Sequence, residues 1–147
     1  MPQYSFWQQL RIWAGLGLLL VGSGCSLFKP ILRLELSGST DVNHGIPFHM
    51  LLRAVTTEQF RSESYTEVAR LVAQPNKSVL QAEVIYTPGN RPYHLKLSLP
   101  PPKGTSIGVY FLFTAPAGNW RLLIDPPPPK TLHVVLGRSS IESSKSE

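Results

Sequence analysis

Beyond residue 30 the chain is cut by proline, glycine and turn-forming clusters into pieces too short for long helices; 14 prolines and 11 glycines occur in 147 residues. Inside the pieces apolar and polar side chains alternate. Leu32, Leu34 and Leu36 are interleaved with Arg33 and Glu35, the period-two pattern of a half-buried strand. A turn-prone segment follows, and a second strand is predicted over 47–55. It places Phe48, Met50 and Leu52 on one side and His49, Leu51 and Arg53 on the other. Further strands are predicted at 79–87, 93–99, 107–114, 120–125 and 131–137. The fourth is the cleanest: Tyr93, Leu95, Leu97 and Leu99 face in, while His94, Lys96 and Ser98 face out. About seven short strands separated by turn signals predict a mainly β domain, a two-sheet β-sandwich.

One short helix is inserted between the second and third strands. Ser64-Tyr65-Thr66-Glu67 is a capping box, in which serine and glutamate satisfy each other's orphan backbone donors. Tyr65, Val68, Ala69 and Val72 then recur at helical spacing and make one apolar face. Thr57-Glu58-Gln59-Phe60 is suited to a preceding short turn. A helix of about ten residues is marginal alone and must dock on a sheet. The strand at 107–114 is apolar on both faces, with Val109, Phe111 and Phe113 opposite Tyr110 and Leu112. A helix covering its outer side accounts for both features. Residues 138–147, rich in serine and charge, are expected to be a disordered tail, so the sandwich is placed at 31–137.

The N-terminus carries a different signal. After Arg11, residues 12–21 read IWAGLGLLLV, followed by Gly22-Ser23-Gly24 and Cys25, the chain's single cysteine. A cationic start, a short apolar run and small residues form an export signal, removed in the mature protein. Crossing a bilayer takes about 20 apolar residues, and the glycines cut this run short. A cysteine in that position resembles the lipobox of bacterial lipoproteins, although Gly22 stands where leucine is usual. Residues 1–24 are therefore read as signal peptide and 25–30 as an acylated linker that ties the chain to a lipid bilayer through Cys25. At about 0.8 kcal/mol per buried methylene, several acyl chains anchor a protein firmly. Ser26 after the cysteine, by the same resemblance, implies sorting to the outer membrane with the domain in the periplasm.

Removing residues 1–24 leaves thirteen Lys and Arg against nine Asp and Glu, a net charge of +4. The cations are scattered singly, without the basic stripe of a nucleic-acid binder, so no nucleic-acid partner is expected. The histidines His44, His49, His94 and His133 are dispersed without metal-ligand spacing. No serine sits in a nucleophile elbow. Neither metal nor cofactor nor catalysis is expected. The runs Pro100-Pro101-Pro102 and 126–129 lie at strand ends and are read as rigid connectors. The loop at 38–45 is longer than the two to five residues usual in a hairpin. Val42, apolar at its centre, is read as exposed, and is either incidental or part of a contact surface.

From Ile31 onward the succession of landmarks resembles the TssJ family, outer-membrane lipoproteins of the type VI secretion system. The landmarks are the cysteine, a first strand, a loop carrying Asn43, and Gly45-Ile46-Pro47 leading into Phe48-His49-Met50-Leu51-Leu52-Arg53. Phe60, the helix, a Pro88-Gly89 turn, Gly108-Val109-Tyr110-Phe111 and Trp120-Arg121 follow in order. The resemblance implies a transthyretin-like sandwich on the periplasmic face of the outer membrane. It further implies binding of the periplasmic C-terminal region of a large inner-membrane partner (IcmF/TssM-like) to assemble an envelope-spanning complex. The family's partner contact lies in the loop between the first two strands, which by position is Asp41, Val42, Asn43 and His44. Two other readings stand beside it: a pilotin-like lipoprotein of another secretion apparatus, and a small-ligand binder with a cavity lined by Tyr110 and Trp120.

Overall fold

The computed structural model describes residues 31–86, 91–98 and 104–147. The expected export signal, Cys25 with its expected linker, the expected turn at Pro88-Gly89, Leu99 and Pro100-Pro101-Pro102 lie outside the described residues. The architecture is a β-sandwich of two four-stranded sheets. One has the order β4-β1-β7-β8 and the other β3-β2-β5-β6, with β1 Ile31–Gly38, β2 Phe48–Val55, β3 Val79–Ile85, β4 Tyr93–Ser98, β5 Ser106–Leu112, β6 Arg121–Ile124, β7 Thr131–Leu136 and β8 Ile141–Ser146. All neighbours pair antiparallel except β1 and β7, which are parallel.

Alternation places the core between the sheets. Leu32, Leu34 and Leu36 of β1, Phe48, Met50 and Leu52 of β2, Val109 and Phe111 of β5, and Leu132, Val134 and Leu136 of β7 are all buried there. Phe48 and Phe113 stack at 5.1 Å. The outer face of the first sheet keeps its polar residues in solvent: Arg33, His94 and Lys96 are exposed, Glu35 and His133 half-buried. The outer face of the second sheet is covered. Two helices between β2 and β3, α1 (Thr57–Ser62) and α2 (Tyr65–Ala73), lay Phe60, Tyr65, Val68, Ala69 and Val72 on Leu51, Tyr110 and Leu112. This is why β5 is buried along its whole length. Both helices begin with capping boxes: Ser64 with Glu67, and Thr56 with Gln59. The short turn expected at 57–60 is thus a true, capped helix.

Residues 138–147 differ from the sequence expectation. In place of a disordered tail the chain turns at Gly137, whose N–H donates to the Ser140 carbonyl at 2.8 Å, and returns as β8 along β7. Only Ile141 of β8 is buried. The strand is held by its backbone ladder, closed by the reciprocal Thr131–Glu147 bonds of 3.1 and 2.9 Å. A ladder needs no apolar side chains, and without it β7 would be an open edge with unpaired donors and acceptors.

Candidate partner-binding surface

β1 carries the chain across the sandwich from Ile31 to Gly38, about 23 Å at 3.3 Å per residue, and the β1–β2 loop therefore stands at the end opposite Ile31. The β5–β6 loop and β7–β8 turn gather beside it. Ala117 N–H donates to the Ser139 carbonyl at 2.9 Å, and Ile141 N–H to the Asn119 carbonyl at 2.6 Å. The β1–β2 loop folds inward on this cluster. Gly38 allows it, since a Cβ there would meet Val42 Cγ2 at 2.5 Å and the Leu136 carbonyl oxygen at 2.6 Å. Val42 drops into the main core with no exposed surface.

Asn43 is also fully buried, and every polar group it owns is used. Its N–H donates to the Arg138 carbonyl at 2.9 Å, and its carbonyl accepts from Ile46 N–H at 3.0 Å. Its Nδ2 donates to the Ile46 carbonyl at 2.8 Å, and its Oδ1 accepts from Thr114 N–H at 2.7 Å. The backbone passes through the left-handed region for three residues, at φ 48° for Asn43, 57° for His44 and 74° for Gly45. Asparagine and glycine accept this conformation readily; histidine does so at a cost of about 1–2 kcal/mol. Asp41, exposed, accepts a 2.6 Å hydrogen bond from Arg138 Nε across the loop.

Residues 49–136, more than half of the chain, match the family model described as IglE, N-terminal domain. The chain belongs to the IglE N-terminal domain family. Among solved structures, its fold is similar to Serratia marcescens Lip, a membrane-bound component of the type VI secretion system. That match has a TM-score of 0.59 and 17% identity, and covers 80% of this chain and 98% of that one. It is similar too to the T6SS lipoprotein TssJ1 from Pseudomonas aeruginosa, with a TM-score of 0.55, 14% identity, and 82% and 98% covered. A chain in the structure of the T6SS protein TssM C-terminal domain (869–1107) from EAEC also matches, with a TM-score of 0.55, 13% identity, and 80% and 98% covered. No curated protein matches in sequence. The TssJ-like fold read from the order of landmarks is borne out.

Of the four loop residues singled out in the sequence of this IglE-family domain, two point outward, Asp41 and His44, and two do not. Val42 was expected at the surface; it is a core residue, since the turn it sits in is pulled inward by its own backbone bonds. Asn43 is the staple of the loop. The residue that sequence reasoning missed is Ile46, 51% exposed on the same loop. Tyr86, 65% exposed, follows the Phe48–Ile85 pair and so lies at this end as well. Ile46 is a large apolar residue just outside the predicted 47–55 strand, whereas Tyr86 falls inside the predicted 79–87 strand and is freed because the observed strand ends at Ile85. Arg138 carries no such signal, because its serine-rich, charged segment has the composition of a tail.

A part-buried cluster of titratable groups lies elsewhere in the domain, under the helices. Glu63 accepts hydrogen bonds from the Tyr110 hydroxyl and the Arg53 guanidinium. Arg121 donates to the Glu63 carbonyl at 2.9 Å and lies 4.7 Å from the Phe60 ring and 5.0 Å from that of Trp120. Burial, then the bond to Glu63, pushes the Tyr110 hydroxyl well above the usual phenol range. Gly108 makes room for that ring, which a Cβ would touch at 2.6 Å. Glu63 offsets the charge of Arg53, and the hydrogen bonds pin α1 to the sheet. Tyr110 and Trp120 do not line a cavity: their rings are 5.7 Å apart and fill the sheet–helix layer. Among the described residues no three His, Cys, Asp or Glu side chains could hold a metal, and no helix is long and apolar enough to cross a membrane.

Proposed function

We infer that this domain is a lipoprotein of the type VI secretion membrane complex, tethered by acylated Cys25 to the periplasmic face of the outer membrane. Its β1–β2 loop grips the periplasmic C-terminal region of a TssM-like inner-membrane protein. The observation that carries this reading is the polarity of a TssJ-like sandwich. The chain enters β1 at Ile31, six residues after Cys25, and the loop emerges at the far end. A tether at one end and a contact at the other let the protein bridge two membranes mechanically, with no chemistry of its own. Two features of the loop support its role. The exposed His44 holds a left-handed backbone that a glycine would adopt without strain, and such strain collects at functional sites. Ile46 and Tyr86 supply apolar contact area next to the charged Asp41 and His44, an arrangement of the kind that anchors interfaces.

The test combines both ends. Palmitate labelling of growing cells should mark the wild-type protein and miss Cys25→Ser, which should also lose secretion. Asp41→Lys with Ile46→Asp should weaken binding to the purified TssM-like periplasmic region at least tenfold, while loss of the exposed Asp41–Arg138 bond lowers the melting temperature by no more than about 4 °C. Unchanged affinity in that double variant removes the loop from the interface, and an unlabelled wild type removes the anchor.

A further inference from the structure

We propose that the outer face of the first sheet carries, at its Ile31 end, a surface that lies against anionic phospholipid headgroups. Arg33 of β1 sits directly opposite Lys96 of β4 and beside Thr131 of β7, and its N–H donates to the Lys130 carbonyl at 2.9 Å. Ile31, Arg33, Lys96, Lys130 and Thr131 line one shallow groove. Like charges placed directly across two strands destabilise a sheet, so this pairing needs a compensation from outside. Among the described residues no carboxylate pairs with these cations, although Glu35 lines a neighbouring groove with Arg33 and Lys96. The described residues include all nine Asp and Glu of the chain, yet none of their ion pairs involves Arg33, Lys96 or Lys130. The nearest acid along the strand, Glu35, is turned to His133 at 2.9 Å and His94 at 3.5 Å.

Two further facts select a membrane as the occupant. Ile31, 59% exposed, projects from the same face as Arg33 and puts an apolar side chain beside the cations. Chain length then fixes the distance. Six residue steps, spanning at most about 20 Å, separate Ile31 from Cys25, so a lipid on that cysteine keeps the groove within reach of the headgroups. The intervening Ser26-Leu27-Phe28-Lys29-Pro30 adds one more cation and no acid. The surface rests on the anchoring reading above and extends it: the anchor is a tether plus a footprint, which tilts the sandwich and sets the direction of the far loop. At about 1 kcal/mol per basic residue near an anionic surface, three cations favour the docked orientation on the order of 100-fold.

The test uses the full protein isolated from membranes and reconstituted in vesicles of phosphatidylglycerol with phosphatidylcholine, or of phosphatidylcholine alone. An amine reagent that cannot cross membranes is applied, and peptides are read by mass spectrometry. Lys96 and Lys130 should react at least tenfold more slowly on the anionic vesicles, with Lys77 unchanged. Raising the salt to about 1 M, where screening shortens to some 3 Å, should abolish the protection, and Arg33→Gln should reduce it about fivefold. Equal reactivity on the two vesicle types overturns the proposal, as does equal protection of Lys77. The N-terminal peptide of the same digest reports acylation separately. An unacylated peptide with lysine protection intact refutes the tether and keeps the footprint, whereas an acylated one without protection does the reverse.

Discussion

Replacing Asn43 by alanine removes two side-chain hydrogen bonds and leaves a residue with a Cβ at φ 48°. The partners are Thr114 N–H and the Ile46 carbonyl, both on exposed residues that water can reach. Each lost bond therefore costs about 1 kcal/mol, the low end for a broken pair. Forcing alanine into the left-handed region adds about 1 kcal/mol. The expected loss is about 3 kcal/mol, or roughly 12 °C in melting temperature at some 4 °C per kcal/mol for a domain of this size. Asn43→Gly keeps the conformation without strain and should lose only about 2 kcal/mol, so the difference between the variants isolates the backbone contribution. Thermal unfolding followed by circular dichroism measures both. A melting temperature within 2 or so degrees of wild type for Asn43→Ala (roughly 0.5 kcal/mol), together with lost partner binding, would show that Asn43 is a contact residue and refute the staple.

Val42→Asp should leave no folded protein, because an unpaired carboxylate at a fully buried site costs on the order of 5 kcal/mol or more; absence of near-ultraviolet dichroism checks it. Tyr110→Phe removes the hydroxyl that donates to Glu63 and should cost about 1–3 kcal/mol while keeping the sandwich, read as a lowered urea midpoint with native strand content. Acid should weaken α2 in a defined window. Glu67 accepts from Ser64 N–H at 2.7 Å and Ser64 Oγ at 2.8 Å, and the backbone bond, then the side-chain bond, hold its carboxyl below the ordinary 4.5. A depressed folded value means this contribution is complete above about pH 4.5 and disappears as pH falls through the folded value. Ser64→Ala should flatten that acid limb and lower neutral stability by about 1 kcal/mol, visible in paired melts at pH 7 and pH 3.5.

The strands that alternate strictly were legible because their two faces meet different surroundings. Leu32, Leu34 and Leu36 face the core, and Arg33 and Glu35 face solvent, so periodicity reports orientation. The doubly apolar β5 announced a helix on its outer side, and Phe60 to Val72 supply it. β8 gave no such signal. Its Ser, Lys and Glu side chains stay in water, and its place depends on the backbone ladder offered by β7, which composition does not record. The loop failed for a related reason: an apolar residue between turn-forming neighbours reads as exposed unless the path of the backbone is known, and here the Asn43 N–H bond to the Arg138 carbonyl ties the loop down with Val42 in the core.

The sequence by itself determined the two-sheet body and the capped helix on its outer face, since each depends on local periodicity or on a contiguous string of residues. Tertiary structure alone decided which residues of the β1–β2 loop reach the surface. It brought Arg33, Lys96 and Lys130, up to 97 positions apart, onto one groove, and made strand β8 from a polar terminus. Those outcomes are set by sheet register and by close approach across the sandwich, where a side chain's role comes from neighbours that are distant along the chain.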